Sequence, residues 1–171
     1  MHRVHLFVAV LVSFSCSRSE TRSARIVARA RGVTDSVVVE RTQCLGSCPA
    51  YRLRVSRAGE VFFVSRNPGE DGVSAVDTVE AWVADTLASQ ARAIGFFTLP
   101  DTIRCSRMAS DHPTLTMGLF GRETKRVIYY TGCDLSHDPS MALTLKEMQQ
   151  LASRVDTLTG AGRWIRPARL R

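Results

Sequence analysis

The sequence predicts an α+β domain: a mainly antiparallel sheet built from two hairpins, with two helices packed on one face. Three observations carry this expectation. Two stretches, Tyr51 to Val64 and Leu115 to Tyr130, alternate apolar and polar residues on either side of a turn. Two others, starting near Val79 and near Met141, repeat apolar residues at helical spacing. The resulting order of strand, hairpin, helix, hairpin, helix groups strands into antiparallel units and leaves the helices to cover them.

Val37-Val38-Val39 opens the folded part as a β-branched run and ends at Arg41-Thr42. Tyr51, Leu53 and Val55 then alternate with Arg52, Arg54 and Ser56, the period-two signature of a half-buried strand. Arg57-Ala58-Gly59 supplies a turn, and Val61–Val64 returns as the partner. Asn67 to Gly72 is rich in turn formers. The first helix is expected to take Asp77 or Thr78 as its cap and to bury Val79, Trp82, Val83, Leu87 and Ile94, with Gly95 stopping it. Phe96, Phe97 and Leu99 then pack back, and 101–113 reads as a long irregular segment in which Asp111 caps the turn entering Thr114. Leu115, Met117 and Leu119 form the next strand, Gly121 turns the chain, and Val127 to Tyr130 returns, with Tyr129 and Tyr130 on opposite faces. Asp138-Pro139 suits N-cap and N1 of the second helix, which presents Met141, Leu145, Met148, Ala152 and Val155 on one side. Trp164 is expected to seal that helix to the body.

The net charge of +7 is misleading until it is located. Residues 1–33 hold six Arg and one acid, and 163–171 hold four Arg. The body, 34–162, carries 13 basic and 15 acidic residues. A nucleic-acid binder concentrates cations on the folded surface that meets phosphate, so this distribution argues against nucleic acid as a partner.

The chain start has the order of a secretory leader. MHRVH is basic, Leu6 to Phe14 is an apolar run, and small residues follow at Ser15-Cys16-Ser17. Nine apolar residues span about 14 Å as a helix, roughly half a bilayer core. Cys16 directly after the run is the expected lipidation site. Ser13 and Phe14 depart from the residues usual before an acylated cysteine, and Ser13-Phe14-Ser15 suits plain leader cleavage instead. Parity favours the lipid, because acylating Cys16 leaves Cys44, Cys48, Cys105 and Cys133, an even set for an oxidising compartment. The expected organisation is a signal peptide at 1–15, a polar Arg-rich tether at 16–33, a single α+β domain at 34–165 and a basic tail at 166–171.

The run Cys44-Leu45-Gly46-Ser47-Cys48-Pro49-Ala50-Tyr51, followed by an alternating strand and a glycine turn, resembles a bacterial family known as domain of unknown function 6438. That family's signature reads Cys-Phe-Gly-x-Cys-Pro-x-Tyr. Asp111-His112-Pro113-Thr114 resembles its Asp-x-Pro-Thr element, and Lys125-Arg126-Val127 and Trp164 fall where its pattern places them. The resemblance covers residues 36–165 and implies export and fold. It implies no activity. Leu45 replaces the usual Phe, a change expected to matter only to local packing.

Cys44-x3-Cys48 is the sharpest chemical feature. In a strand the two Cα atoms would stand about 13 Å apart, but a turn at Gly46 brings them within disulfide reach. Cys105 and Cys133 flank the second hairpin, where a bridge would close a loop of about 29 residues. Four cysteines allow three pairings, so connectivity stays open at this point. Metal ligation is the alternative. Cys-x3-Cys-Pro resembles the copper motif of Sco-type chaperones, with His112 or His137 as a third ligand, although a helix follows the motif there and a strand here. Cys105, His112, Cys133 and His137 offer a tetrahedral set for zinc.

For catalysis, Asp111, His112, Asp134 and His137 supply acid–base groups, and Cys133 or Ser136 a nucleophile. The sequence has no Gly-x-Ser-x-Gly elbow, no His-Glu-x-x-His and no phosphate-cradling glycine loop, so no catalytic residue is assigned and no cofactor is expected. The expectation is an exported, lipid-anchored envelope protein that acts as a non-enzymatic binding or structural module toward an unknown envelope protein or ligand. Its alternative is a copper, zinc or thiol-redox protein using Cys44, Cys48, His112 and His137.

Overall fold

A computed structural model describes residues 34–70 and 72–166. The expected leader, the lipidation site Cys16 and the tether lie outside the described residues. Seven strands form one sheet: β1 (Thr34–Arg41), β2 (Tyr51–Ser56), β3 (Glu60–Ser65), β4 (Ser74–Thr78), β5 (Thr102–Ile103), β6 (Thr114–Gly121) and β7 (Lys125–Tyr130). Two helices, α1 (Trp82–Ala93) and α2 (Pro139–Leu158), pack on it. The order across the sheet is β4-β3-β2-β1-β6-β7-β5, antiparallel except for the β5–β7 pair. The fold is therefore the expected α+β class. Both hairpins, β2–β3 and β6–β7, are present, and β1 joins them by pairing with β2 on one side and β6 on the other.

Alternation along the strands sorts the two faces. Val37, Val39, Leu53, Val55, Val61, Phe63, Met117, Leu119 and Val127 are fully or almost fully buried and meet the helices in one core. Among the neighbours of opposite parity, Arg52, Arg54, Phe62 and Arg126 are exposed on the face away from the helices, whereas Val38 and Thr116 at the sheet centre are buried. Arg52 pairs with Glu40 across β1 and β2 at 3.4 Å, and the Arg54 guanidinium sits over the Phe62 ring. Tyr129 is buried and Tyr130 is on the other face, as the alternation requires.

The structure corrects the reading at α1. Asp77 and Thr78 are not its caps; they belong to β4, an edge strand that pairs with β3. The helix starts after Ala81, which makes no side-chain cap bond. Trp82 is 55% exposed and does not enter the core. The stripe that packs is made of Val83, Ala84, Leu87, Ala88 and Ala91. Small residues bring the helix close to the sheet, whereas the bulky indole lies off the contact line.

The second helix follows the expected logic. The Asp138 carboxylate accepts from the Met141 N–H at 3.0 Å, and Pro139 occupies the first turn, where no N–H is needed. Trp164 packs on Phe63, with ring centroids 5.7 Å apart, and so closes the turn at 161–164 over β3. The segment expected to be irregular contains one short strand, β5, whose two residues run parallel to β7.

Candidate functional site

β1, β3 and β7 end, and β2 and β6 begin, at one pole of the sheet, where the connections 42–50, 104–113 and 131–138 gather. Both disulfides are at this pole. Cys44 and Cys48 are bridged with Cα atoms 5.5 Å apart, and Cys105 is bridged to Cys133 with a Cα separation of 5.7 Å. The local reason for the first bridge is Gly46, whose φ of 148° opens the turn that brings the sulfurs together. Behind it the chain is pinned by Asn67, whose side-chain oxygen accepts from the buried Ala50 N–H at 2.8 Å.

The second bridge is reinforced by backbone. Ala109 N–H donates to Gly132 O at 2.8 Å, Asp134 N–H to Arg107 O at 3.0 Å, and Met108 faces Cys133 in an isolated antiparallel bridge. Gly132 is required here: a Cβ on it would fall 2.5 Å from Ala109 O. The Tyr130 hydroxyl clasps the same loop, donating to Ala109 O at 2.9 Å and accepting from the His112 N–H at 3.2 Å.

The two loops touch. Leu45 N–H donates to Asp111 O at 3.3 Å. Asp111 adopts φ 72°, the sole positive φ of a non-glycine residue among the described residues. It does not cap the turn into Thr114 as expected; the Thr114 N–H is taken by the Thr42 hydroxyl at 2.8 Å. Leu45 also departs from expectation. It is 81% exposed, so the position has no local packing to satisfy, and Met108 on the neighbouring loop is 65% exposed. Two large apolar side chains thus stand in solvent on cross-linked loops.

Beneath this pole lies a polar latch with no local sequence signal. The Tyr51 hydroxyl donates to Asp156 Oδ2 at 2.7 Å and accepts from Arg41 Nε at 2.9 Å, while Arg41 and Asp156 pair at 3.6 Å. It ties the far turns of α2 to β1 and β2. Burial pushes the Tyr51 hydroxyl well above the tyrosine range, so it stays a protonated donor. Burial also raises Asp156, against the opposing pull of Tyr51 and Arg41, and its Oδ1 is buried without a hydrogen-bond partner.

A cavity of about 250 Å³ opens between the β5 loop and the start of α2. Ile103, Leu135 and Met141 give it an apolar floor, and Arg104, Asp134 and His137 stand at its rim. The Ser136 hydroxyl meets His137 Nδ1 at 3.3 Å. Asp134 accepts from the Ser136 backbone N–H at 3.0 Å instead of orienting the imidazole. That N–H is the main reason its carboxyl is held below the usual range. Cys133, the other nucleophile considered, is bridged. The thiolates required by the copper and zinc sets are consumed in the two disulfides, and among the described residues no group of three or more His, Cys, Asp or Glu side chains is placed to hold a metal ion.

Residues 35–158 match the family described as Domain of unknown function (DUF6438). No curated protein matches the chain.

Proposed function

The chain belongs to the DUF6438 family, and we propose that it is an exported, lipid-anchored protein of the cell envelope that acts as a non-enzymatic binding module. The observation that carries the proposal is the pairing of all four domain cysteines at one pole, around loops that hold Leu45 and Met108 in solvent. Two structural disulfides in so small a domain suit an oxidising compartment. Cross-linked loops with exposed apolar tips suit recognition, because their ordering cost is met before any partner arrives.

The leader supplies the route. Residues 1–15 direct export, Cys16 carries the lipid, and 16–33 spans from the membrane to β1. The partner is an envelope protein or ligand that meets the disulfide pole; nucleic acid has no place in the scheme.

Two measurements test the proposal. Intact mass of protein extracted from membranes is expected to include a diacylglyceryl group on an N-terminal Cys16, and Cys16→Ala to release the protein in soluble form. A photo-crosslinker placed at Leu45 is expected to capture an envelope component that one at Trp82 does not. Native protein with an uncut amino terminus, free thiols and stoichiometric copper or zinc would replace this reading with the metal one.

A further inference from the structure

The sheet finishes differently at its two edges. β5 is only two residues long and offers almost no ladder. β4 is five residues, Ser-Ala-Val-Asp-Thr, without the proline or lysine that commonly blunts an edge. Its flanks fix which backbone groups point outward. Ser65 N–H donates to Val73 O at 2.9 Å and Val79 N–H to Gly59 O at 2.8 Å. Odd-numbered residues of this strand therefore bond to β3, and antiparallel alternation turns the N–H and C=O of Ser74, Val76 and Thr78 away from it. The Val76 side chain is 71% exposed and lies on the sheet face away from the helices, beside its register partner Phe62, itself 37% exposed. Outward backbone groups and an apolar strip coincide on one edge.

We propose that β4 is a self-association edge, on which a second copy of this chain adds its own β4 antiparallel about a two-fold axis at Val76. Self-complementarity is the argument. In this register Val76 opposes Val76, Ser74 opposes Thr78, and Ala75 opposes Asp77. The outward N–H and C=O groups of Ser74, Val76 and Thr78 then satisfy one another reciprocally. Val76 and Phe62 of the two copies form one continuous apolar strip. The strand's single acid does not meet its own image: Asp77 faces Ala75, and it is already paired within its chain to Arg163, so no like charges are opposed. A slip of one residue would set outward groups against inward ones and turn Val76 to the wrong face. The contact is isologous and closes on itself, and the short β5 edge keeps it from propagating.

Sedimentation of the full chain with both disulfides intact, from about 5 to 500 µM, is expected to show a monomer–dimer equilibrium. Val76→Pro deletes an N–H that folding does not use, at an edge position where proline is tolerated. It is expected to raise the dissociation constant at least about tenfold while leaving the circular dichroism melt of dilute protein unchanged. Val76→Lys opposes two cations at the axis and is expected to yield monomer; mixing it with Val76→Asp restores a dimer containing one chain of each. Monomer throughout the range, a dimer indifferent to Val76→Pro, or failure of the mixed pair to form overturns the proposal. So does native protein recovered with another polypeptide's strand on β4 and no self-association.

Discussion

The two poles of the sheet are built by different means. At the turn pole, β2 meets β3 through Arg57–Gly59, closed by Gly59 N–H donating to Ser56 O at 3.0 Å, and β6 meets β7 through Gly121 and Thr124. These connections are short and are held by local bonds, from the backbone and from the Ser56 and Thr124 hydroxyls. At the disulfide pole the connections 42–50, 104–113 and 131–138 contain almost no regular structure and are held by two covalent bridges and a tyrosine clasp. The difference teaches where loop entropy is concentrated. Short hairpins need little beyond glycine and a local hydroxyl, whereas the bridged loops are ordered with cross-links that remove freedom of the unfolded chain.

The comparison can be broken most forcefully at the second bridge. Replacing Cys105 and Cys133 together by Ser is expected to cost about 3–4 kcal/mol in urea unfolding, because the loop they close is long. The loss should be accompanied by faster amide exchange in 104–113 than in the β2–β3 hairpin. A loss below about 1 kcal/mol would mean that the backbone bonds order the loop unaided. The turn pole breaks by a different route. Gly59 has φ 88°, and a Cβ there would lie 2.0 Å from Val79 O, so Gly59→Ala is expected to cost about 2–3 kcal/mol through strain and a displaced β4. Fluorescence-monitored denaturation checks it, and a neutral result would show that the close approach is relaxed in solution.

A smaller effect sharpens the account of the latch. Burial raises the Asp156 carboxyl in the folded state, so the native protein holds that proton more tightly than the unfolded chain. Its contribution is neutral below the ordinary Asp range and becomes increasingly unfavourable as pH climbs from about 4 through the folded-state value. Asp156→Asn removes that dependence. Relative to the parent, the variant is expected to gain stability as pH rises from about 4, in a gap that widens up to the folded-state value and is level above it; a gap that does not change with pH would place the charge elsewhere. Smallest of all is Leu45→Ser. At 81% exposure the change is expected to stay within about 0.5 kcal/mol of the parent, while removing capture of an envelope partner by a photo-crosslinker carried at Met108.

Much of the turn pole was legible in the sequence, because its strands are half-buried and write their burial as period two. Tyr51–Val55, Val61–Val64 and Leu115–Leu119 are of this kind. So was α2, where Asp138-Pro139 marks the start chemically. β4 was not, since an edge strand with half its residues in water has little apolar pattern, and Asp77 and Thr78 imitate a helix cap. The Trp82 error has a related cause: α1 packs through alanines, which carry too little hydrophobic contrast to outweigh an adjacent indole. At the disulfide pole, cysteine spacing pointed to the bridges. The latch joins residues 105 positions apart, and nothing local to Tyr51 or Asp156 announces it. Exposure of Leu45 is likewise a tertiary fact, set by how the bridge points the loop.

The two tryptophans are placed so that the chain carries its own optical probe and its own reference. Trp82 stands on the solvent side of α1, whereas Trp164 is half-buried on Phe63 with the Arg163 guanidinium 4.3 Å from its ring centre. Acrylamide should quench the first freely in native protein and reach the second only when the carboxyl-terminal turn lifts off β3. A single emission spectrum, resolved into red and blue components, therefore reports the docking of that turn with no label added.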